Sequence, residues 1–133
     1  MTISPKKILM IHADKRERGE LAIMLARFGH CVAFADGSRD EGLNSDEYDL
    51  IIIDEYLSCG AGFVFLQNLS SKIRAKTIFL SSGGRAAKTL CQNSMGTYEC
   101  MEKPIKPLEL AVVACDFFVS HLVIEENLAP LSC

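Results

Sequence analysis

The chain has 133 residues, of which 49% are apolar and 23% charged, and its formal net charge is −3. That is enough chain for one domain with its own core, in the ordinary composition of a soluble globular protein. The acidic balance excludes nucleic-acid binding through bulk positive charge, and no apolar stretch approaches the length of a membrane span.

The elements alternate along the chain. Lys7 to Ile11 is a short apolar run and predicts a first strand. Asp14 to Phe28 predicts a helix: Leu21, Met24, Leu25 and Phe28 share one face, Gly29 follows as a stop, and Asp14 with Glu17 three residues on fits an N-terminal cap. Cys31 to Ala35 predicts the second strand, and Ser38 to about Leu43 a short helix with Ser38 and Glu41 at capping-box spacing. Leu50 to Ile53 predicts the third strand, Gly62 to Leu69 a helix, Thr77 to Leu80 the fourth strand, Ala86 to Gln92 a helix, and Thr97 to Met101 the fifth strand. Pro107 starts a last helix running to about His121 or beyond, since proline is tolerated in a first helical turn.

Regular strand–helix alternation implies parallel strands joined by right-handed crossovers. Near-continuous apolar runs such as Ile51-Ile52-Ile53 suit strands covered on both faces. The expectation is a flavodoxin-like (βα)5 α/β sandwich of three layers with strand order 2-1-3-4-5. One domain over 1–126 and a tail over 127–133 are expected. The six cysteines form no C-x-x-C pair and several lie in apolar runs, so reduced thiols in a cytoplasmic setting are expected.

In such sheets ligands bind beyond the carboxyl ends of the strands. There the sequence delivers His12-Ala13-Asp14, then Asp54, then Ser81-Ser82, then Lys103-Pro104. Singly, each has a plain structural role: Asp14 a helix cap, Ser81 a partner for a strand-end amide, Lys103 a solvated charge. Together they would place an acid, a hydroxyl and an ammonium on one patch.

Three stretches, YDLIIIDEYLSCGAG, FLSS and EKPIKPLEL, are similar to the receiver domain of bacterial two-component response regulators, and the resemblance covers roughly Lys6 to Phe118. It implies that Asp54 accepts a phosphoryl group from a histidine kinase or phosphotransfer protein, that Ser81 and Lys103 donate to its oxygens, that Gly62 belongs to the loop after the acceptor, and that Lys103-Pro104 is cis. Those roles agree with chemistry that needs positioning and charge neutralisation more than covalent machinery. The resemblance implies a signalling module and not an enzyme.

The pattern departs from the family at the end of the first strand. Two carboxylates that help hold Mg²⁺ there are replaced by His12 and Ala13. Asp54 and the Tyr56 backbone carbonyl remain as metal ligands, with Asp14 placed to help through a water; Mg²⁺ is then held weakly or not at all. His12 reads as a structural imidazole before a pH-sensitive one. Two outcomes stay open: phosphorylation of Asp54 with impaired metal binding, or a pseudo-receiver that docks to a partner without phosphate.

On the output side the family's switch aromatic aligns with Cys100, while Tyr98 shares its face without matching the position. The last helix carries two apolar stripes, Leu110-Val113-Ala114-Phe117 and Leu108-Val112-Cys115-Val119-Leu122. The second points to a downstream protein or a homodimer surface. No DNA-binding segment follows, so action by protein contact is expected, or loss of an output domain. Flavin binding is disfavoured by the bulky charged loop HADKRERGE, a hydrolase by the lack of a G-x-S-x-G elbow, and a Cys59 redox site by the lack of a basic neighbour.

Overall fold

The structure, a computed structural model, describes residues 6–38 and 45–128. In chain order its elements are β1 (Lys7–Ile11), α1 (Lys15–Arg27), β2 (Cys31–Ala35), a 3-10 turn (Ser45–Glu47), β3 (Leu50–Asp54), β4 (Tyr56–Leu57), β5 (Gly60–Ala61) and α2 (Gly62–Gln67). They continue with α3 (Ser71–Arg74), β6 (Thr77–Ser81), α4 (Gly84–Leu90), a π turn (Cys91–Met95), β7 (Glu99–Glu102) and α5 (Pro107–Leu128). The five long strands form one parallel sheet in the order β2-β1-β3-β6-β7, which is the expected 2-1-3-4-5 arrangement with a small hairpin inserted after the third strand.

Strand alternation divides the core in two. Ile8, Met10, Leu50, Ile52, Ile78 and Leu80 face α1 and α5, meeting Leu21, Leu25, Leu110 and Phe117. Leu9, Ile11, Ile51, Ile53 and Phe79 face the other way, toward Leu66 of α2, Ile73 of α3, and Cys91 and Met95 beyond α4. β3 lies between β1 and β6, and all five of its residues are buried. Each such isoleucine contributes about 1.5–3 kcal/mol on leaving water, so the strand that ends in Asp54 is among the firmest parts of the molecule.

Several local expectations shift. The helix expected to Leu69 stops at Gln67, and Ser70 caps a separate turn, α3, by accepting from the Ile73 amide at 3.3 Å. The helix expected over Ala86 to Gln92 begins at Gly84 and gives way to the π turn after Leu90. The fifth sheet strand runs Glu99–Glu102, starting two residues after the expected Thr97, although the Tyr98 amide already donates to the Thr77 carbonyl at 3.0 Å. The hairpin β4–β5 has no expected counterpart. The short helix expected from Ser38 to Leu43 falls mostly outside the described residues, as do residues 129–133 of the tail; α5 continues through Leu128.

On α5 the first stripe is buried at Leu110, Ala114 and Phe117. The second stripe is exposed at Leu108 (55%), Val112 (48%) and Val119 (52%). Cys31, Cys59, Cys91, Cys100 and Cys115 are free thiols. Among the described residues no helix is long and apolar enough to cross a membrane.

Candidate functional site at the strand ends

Asp54 ends the central strand, and its side chain is 2% exposed. A buried carboxylate needs partners, and it has them. The Tyr56 amide donates to Oδ2 at 2.9 Å. The Lys103 ammonium lies 2.7 Å from Oδ1, a close ion pair. Burial pulls the Lys103 pKa down, but the Asp54 carboxylate outweighs it and holds the ammonium above its ordinary value. Lys103 reaches Asp54 from the turn after β7, where the Lys103–Pro104 peptide is cis and the Lys103 amide donates to the Ser81 carbonyl at 2.9 Å.

The turn leaving Asp54 is fixed by close approach. The Gly62 amide donates to the Glu55 carbonyl at 2.7 Å, and a Cβ on Gly62 would overlap the Asp54 carbonyl oxygen. Only glycine fits under that strand end.

Alternation sends neighbouring residues to opposite sides. His12 and Asp54 emerge with the α1 side of the sheet, Glu55 and Ser81 with the α4 side. On the first side, His12 is 1% exposed. Its Nδ1 accepts the Asp14 amide at 3.1 Å, so the proton of the neutral ring lies on Nε2. Nε2 stands 3.5 Å from Asp54 Oδ1 and 3.5 Å from Glu17 Oε2, with no aligned hydrogen bond of its own. A hollow of about 350 Å³ opens between these groups and Lys103.

Glu17 is a site residue that sequence reasoning assigned only to capping. Asp14 does cap α1, accepting the Arg16 and Glu17 amides at 3.0 and 3.1 Å, and those bonds, the Glu17 amide foremost, hold its carboxyl below the usual range. The return half of a capping box is missing, since the Asp14 amide is already taken by His12. The Glu17 side chain therefore turns to the imidazole.

His12, Glu17 and Asp54 place one donor atom each within 4.8 Å of one another. This set does not fit magnesium, which wants an octahedron of oxygens. His12 offers a nitrogen where the ion would take an oxygen, and that Nε2 carries a hydrogen. Asp14 is turned to the helix amides.

On the second side Ser81 does not stand free. Its hydroxyl donates to Glu55 Oε2 at 3.0 Å and accepts the Gly83 amide at 3.0 Å. The Ser82 amide and hydroxyl also donate to Glu55, at 2.7 and 2.6 Å, and Lys103 Nζ lies 3.5 Å from Glu55 Oε1. Burial raises the Glu55 pKa, yet the Ser82 and Ser81 hydrogen bonds and the Lys103 charge prevail and bring it below its ordinary value. Lys103 thus bridges Asp54 and Glu55, and Asp54, Ser81 and Lys103 come to one patch with Glu55 between them. Sequence reasoning missed Glu55, which carries no signal of its own beyond its place beside Asp54.

Beside Ser81, six residues (Ser81, Gly84, Arg85, Lys88, Cys100 and Glu102) line a further hollow of about 200 Å³. Cys100, at the position that aligns with the family's switch aromatic, is 5% exposed, and a hydrogen bond with Cys91 together with burial pushes its thiol pKa up. Tyr98 instead packs edge-on against Phe117 of α5, with ring centroids 4.8 Å apart.

No protein-family model matches the chain. Protein PetR of Rhodobacter capsulatus is 29% identical over 112 residues, 83% of this chain and 47% of that protein. The chain therefore spans about half the length of the curated relative it matches. Solved structures superpose closely. The receiver domain of Francisella response regulator 1452 has a TM-score of 0.73 at 21% identity, over 87% of this chain and 98% of that one. DrrB of Thermotoga maritima, an OmpR/PhoB homolog, gives 0.71 at 18%, over 88% of this chain and 54% of that one. The receiver domain of sensor histidine kinase PA1611 of Pseudomonas aeruginosa, solved with magnesium in its active-site cleft, gives 0.62 at 18%, over 85% and 97%. In strand order and layering, this chain has the fold of response-regulator receiver domains.

Proposed function

We propose that the chain is a phosphorelay receiver that accepts a phosphoryl group on Asp54 from a histidine kinase or phosphotransfer protein. The observation that carries this reading is the ion pair at the end of β3: a buried carboxylate, oriented by the Tyr56 amide, with an ammonium 2.7 Å away. One Asp54 oxygen attacks the phosphorus of the donor's phosphohistidine. The P–N bond breaks, its electron pair stays on the imidazole, which takes a proton from water, and a P–O bond to Asp54 forms. Lys103 and Ser81 neutralise charge on the equatorial oxygens. The domain is an acceptor and relay, not a turnover catalyst. Magnesium is held weakly or not at all, because His12 and Glu17 shape the ion's place; Asp54 and the Tyr56 carbonyl would be the remaining oxygen ligands, Asp14 being engaged with the helix amides. The setting is the bacterial cytoplasm. Output passes by protein contact, to a downstream partner or a second copy, through the exposed Leu108, Val112 and Val119 stripe of α5.

A second reading, a docking module that signals without phosphate, is favoured by one observation: the Ser81 hydroxyl is already committed to Glu55. Incubation with acetyl phosphate, with Mg²⁺, with Mn²⁺ and with EDTA, followed by intact mass, separates the two. A single phosphate adduct that disappears in Asp54→Asn is expected. No adduct under any of these conditions refutes acceptance and leaves the docking module.

A further inference from the structure

The groups assigned to the phosphoryl oxygens are the Ser81 hydroxyl and the Lys103 ammonium. In this structure they converge on the carboxylate of Glu55. Oε2 accepts from the Ser81 hydroxyl at 3.0 Å and the Ser82 amide at 2.7 Å; Oε1 accepts from the Ser82 hydroxyl at 2.6 Å and faces Lys103 Nζ at 3.5 Å. The side chain is 14% exposed, so these contacts are made largely out of solvent. A serine hydroxyl has one hydrogen to give. With that hydrogen on Glu55, Ser81 has none for a second anion.

We infer that Glu55 is an internal anion that occupies the phosphoryl-binding half of the site, so that an incoming phosphoryl group must displace it. The inference rests on the reading of Asp54 as acceptor, and extends it by naming the residue that sets whether the site is open. Reach is the essential property. Glu55 leaves β3 on the side opposite Asp54, and its side chain is long enough to span to the end of β6, where Ser81 and the following Ser82 lie 26 and 27 residues further along the chain. Charge alone does not define the latch, because a shorter acid at the same position would carry the same charge without arriving at Ser82.

The test compares the native chain with Glu55→Gln, which keeps the length and loses the charge, and Glu55→Asp, which keeps the charge and is one methylene short. Inorganic phosphate is titrated into each and followed by the amide resonances of Ser82 and Gly83. Both variants are expected to bind phosphate about tenfold or more tightly than the native chain, since each frees at least one hydrogen bond to a charged acceptor. The Ser82 amide is expected to move upfield in both before any phosphate is added. Ser82→Ala, which removes the 2.6 Å bond from the other side, is expected to shift phosphate affinity in the same direction. A gain in Glu55→Gln alone, with Glu55→Asp behaving as native, reduces the effect to simple repulsion and overturns the latch. Equal affinity in all the proteins overturns it too. Acetyl phosphate labelling is run alongside: no label on Asp54 in any protein refutes acceptance, while the phosphate titration still decides the latch.

Discussion

Replacing Lys103 with methionine keeps most of the stem and deletes the ammonium, which strands the Asp54 carboxylate. The two side chains are 18% and 2% exposed and 2.7 Å apart. At that separation the gross attraction at an effective dielectric of about 20 is about 6 kcal/mol. Desolvation of both ions offsets much of it, and removing one partner of such a pair costs about 3–5 kcal/mol. The Tyr56 amide still holds Oδ2, which sets the expected loss at the lower edge, about 3 kcal/mol. Urea denaturation at neutral pH measures it. In an Asp54→Asn background the same substitution is expected to cost less than about 1 kcal/mol, because the one carboxylate then left behind, Glu55, keeps its Ser81 and Ser82 hydrogen bonds. The pH dependence follows from the raised Lys103 pKa. A cation raised in the folded state contributes stability that is fully present below its unfolded value, ordinarily 10.5, and is lost as pH climbs through the higher folded value. The deficit of Lys103→Met is therefore flat across neutral pH and closes only in strongly alkaline solution. A loss below about 1 kcal/mol, as for a solvent-exposed pair, or an equal loss in both backgrounds, refutes a desolvated, mutually dependent pair.

Glu55→Gln is expected to flatten the acid limb of stability. Its folded pKa lies below the ordinary 4.5, so its contribution is present above that value and lost as pH falls through the folded one; melting temperatures from neutral to acid pH read the change. Gly62→Ala is expected to cost about 1–3 kcal/mol, because its methyl meets the Asp54 carbonyl, and acetyl phosphate labelling of Asp54 is expected to fall with it. Ile52→Ala, in the middle of the buried strand, is expected to cost about 3–4 kcal/mol in urea, with less if neighbours collapse into the space. His12→Asp restores an oxygen donor beside Asp54 and Glu17; calorimetry is expected to show magnesium binding much stronger than in the native chain, since affinity follows ligand charge.

The sheet was legible because β1, β3 and β6 are continuous apolar runs buried on both faces, a pattern that admits few other folds. Asp54 was legible as the polar end of such a run, whereas Lys103 follows the mixed edge strand β7 and was legible from its Lys-Pro pair. Glu55 was not, although it adjoins Asp54. Its partners belong to another strand, and nothing local distinguishes it from a loop charge. Glu17 was misread in part: its spacing from Asp14 announces a cap, and half of that cap forms. The other half fails because the Asp14 amide has a better-placed acceptor in His12, a contact made across a turn and invisible to spacing rules. The hairpin β4–β5 and the Ser70-capped turn escaped because two- and four-residue elements carry too few residues to show a period.

Position 100 carries a mechanical consequence. A large ring that swings between interior and surface can convert a hydroxyl's movement at one strand into a change of shape at the next. Here a thiol with a single rotatable bond sits in that place, beside open space. Turning it pushes nothing outward. A motion that begins at Ser81 is left with other routes, through its bond to Glu55 toward Lys103, or along the main chain through residues 82–84 into α4. Widening the side chain at position 100, and not altering its polarity, is the change that would give this edge of the sheet a lever.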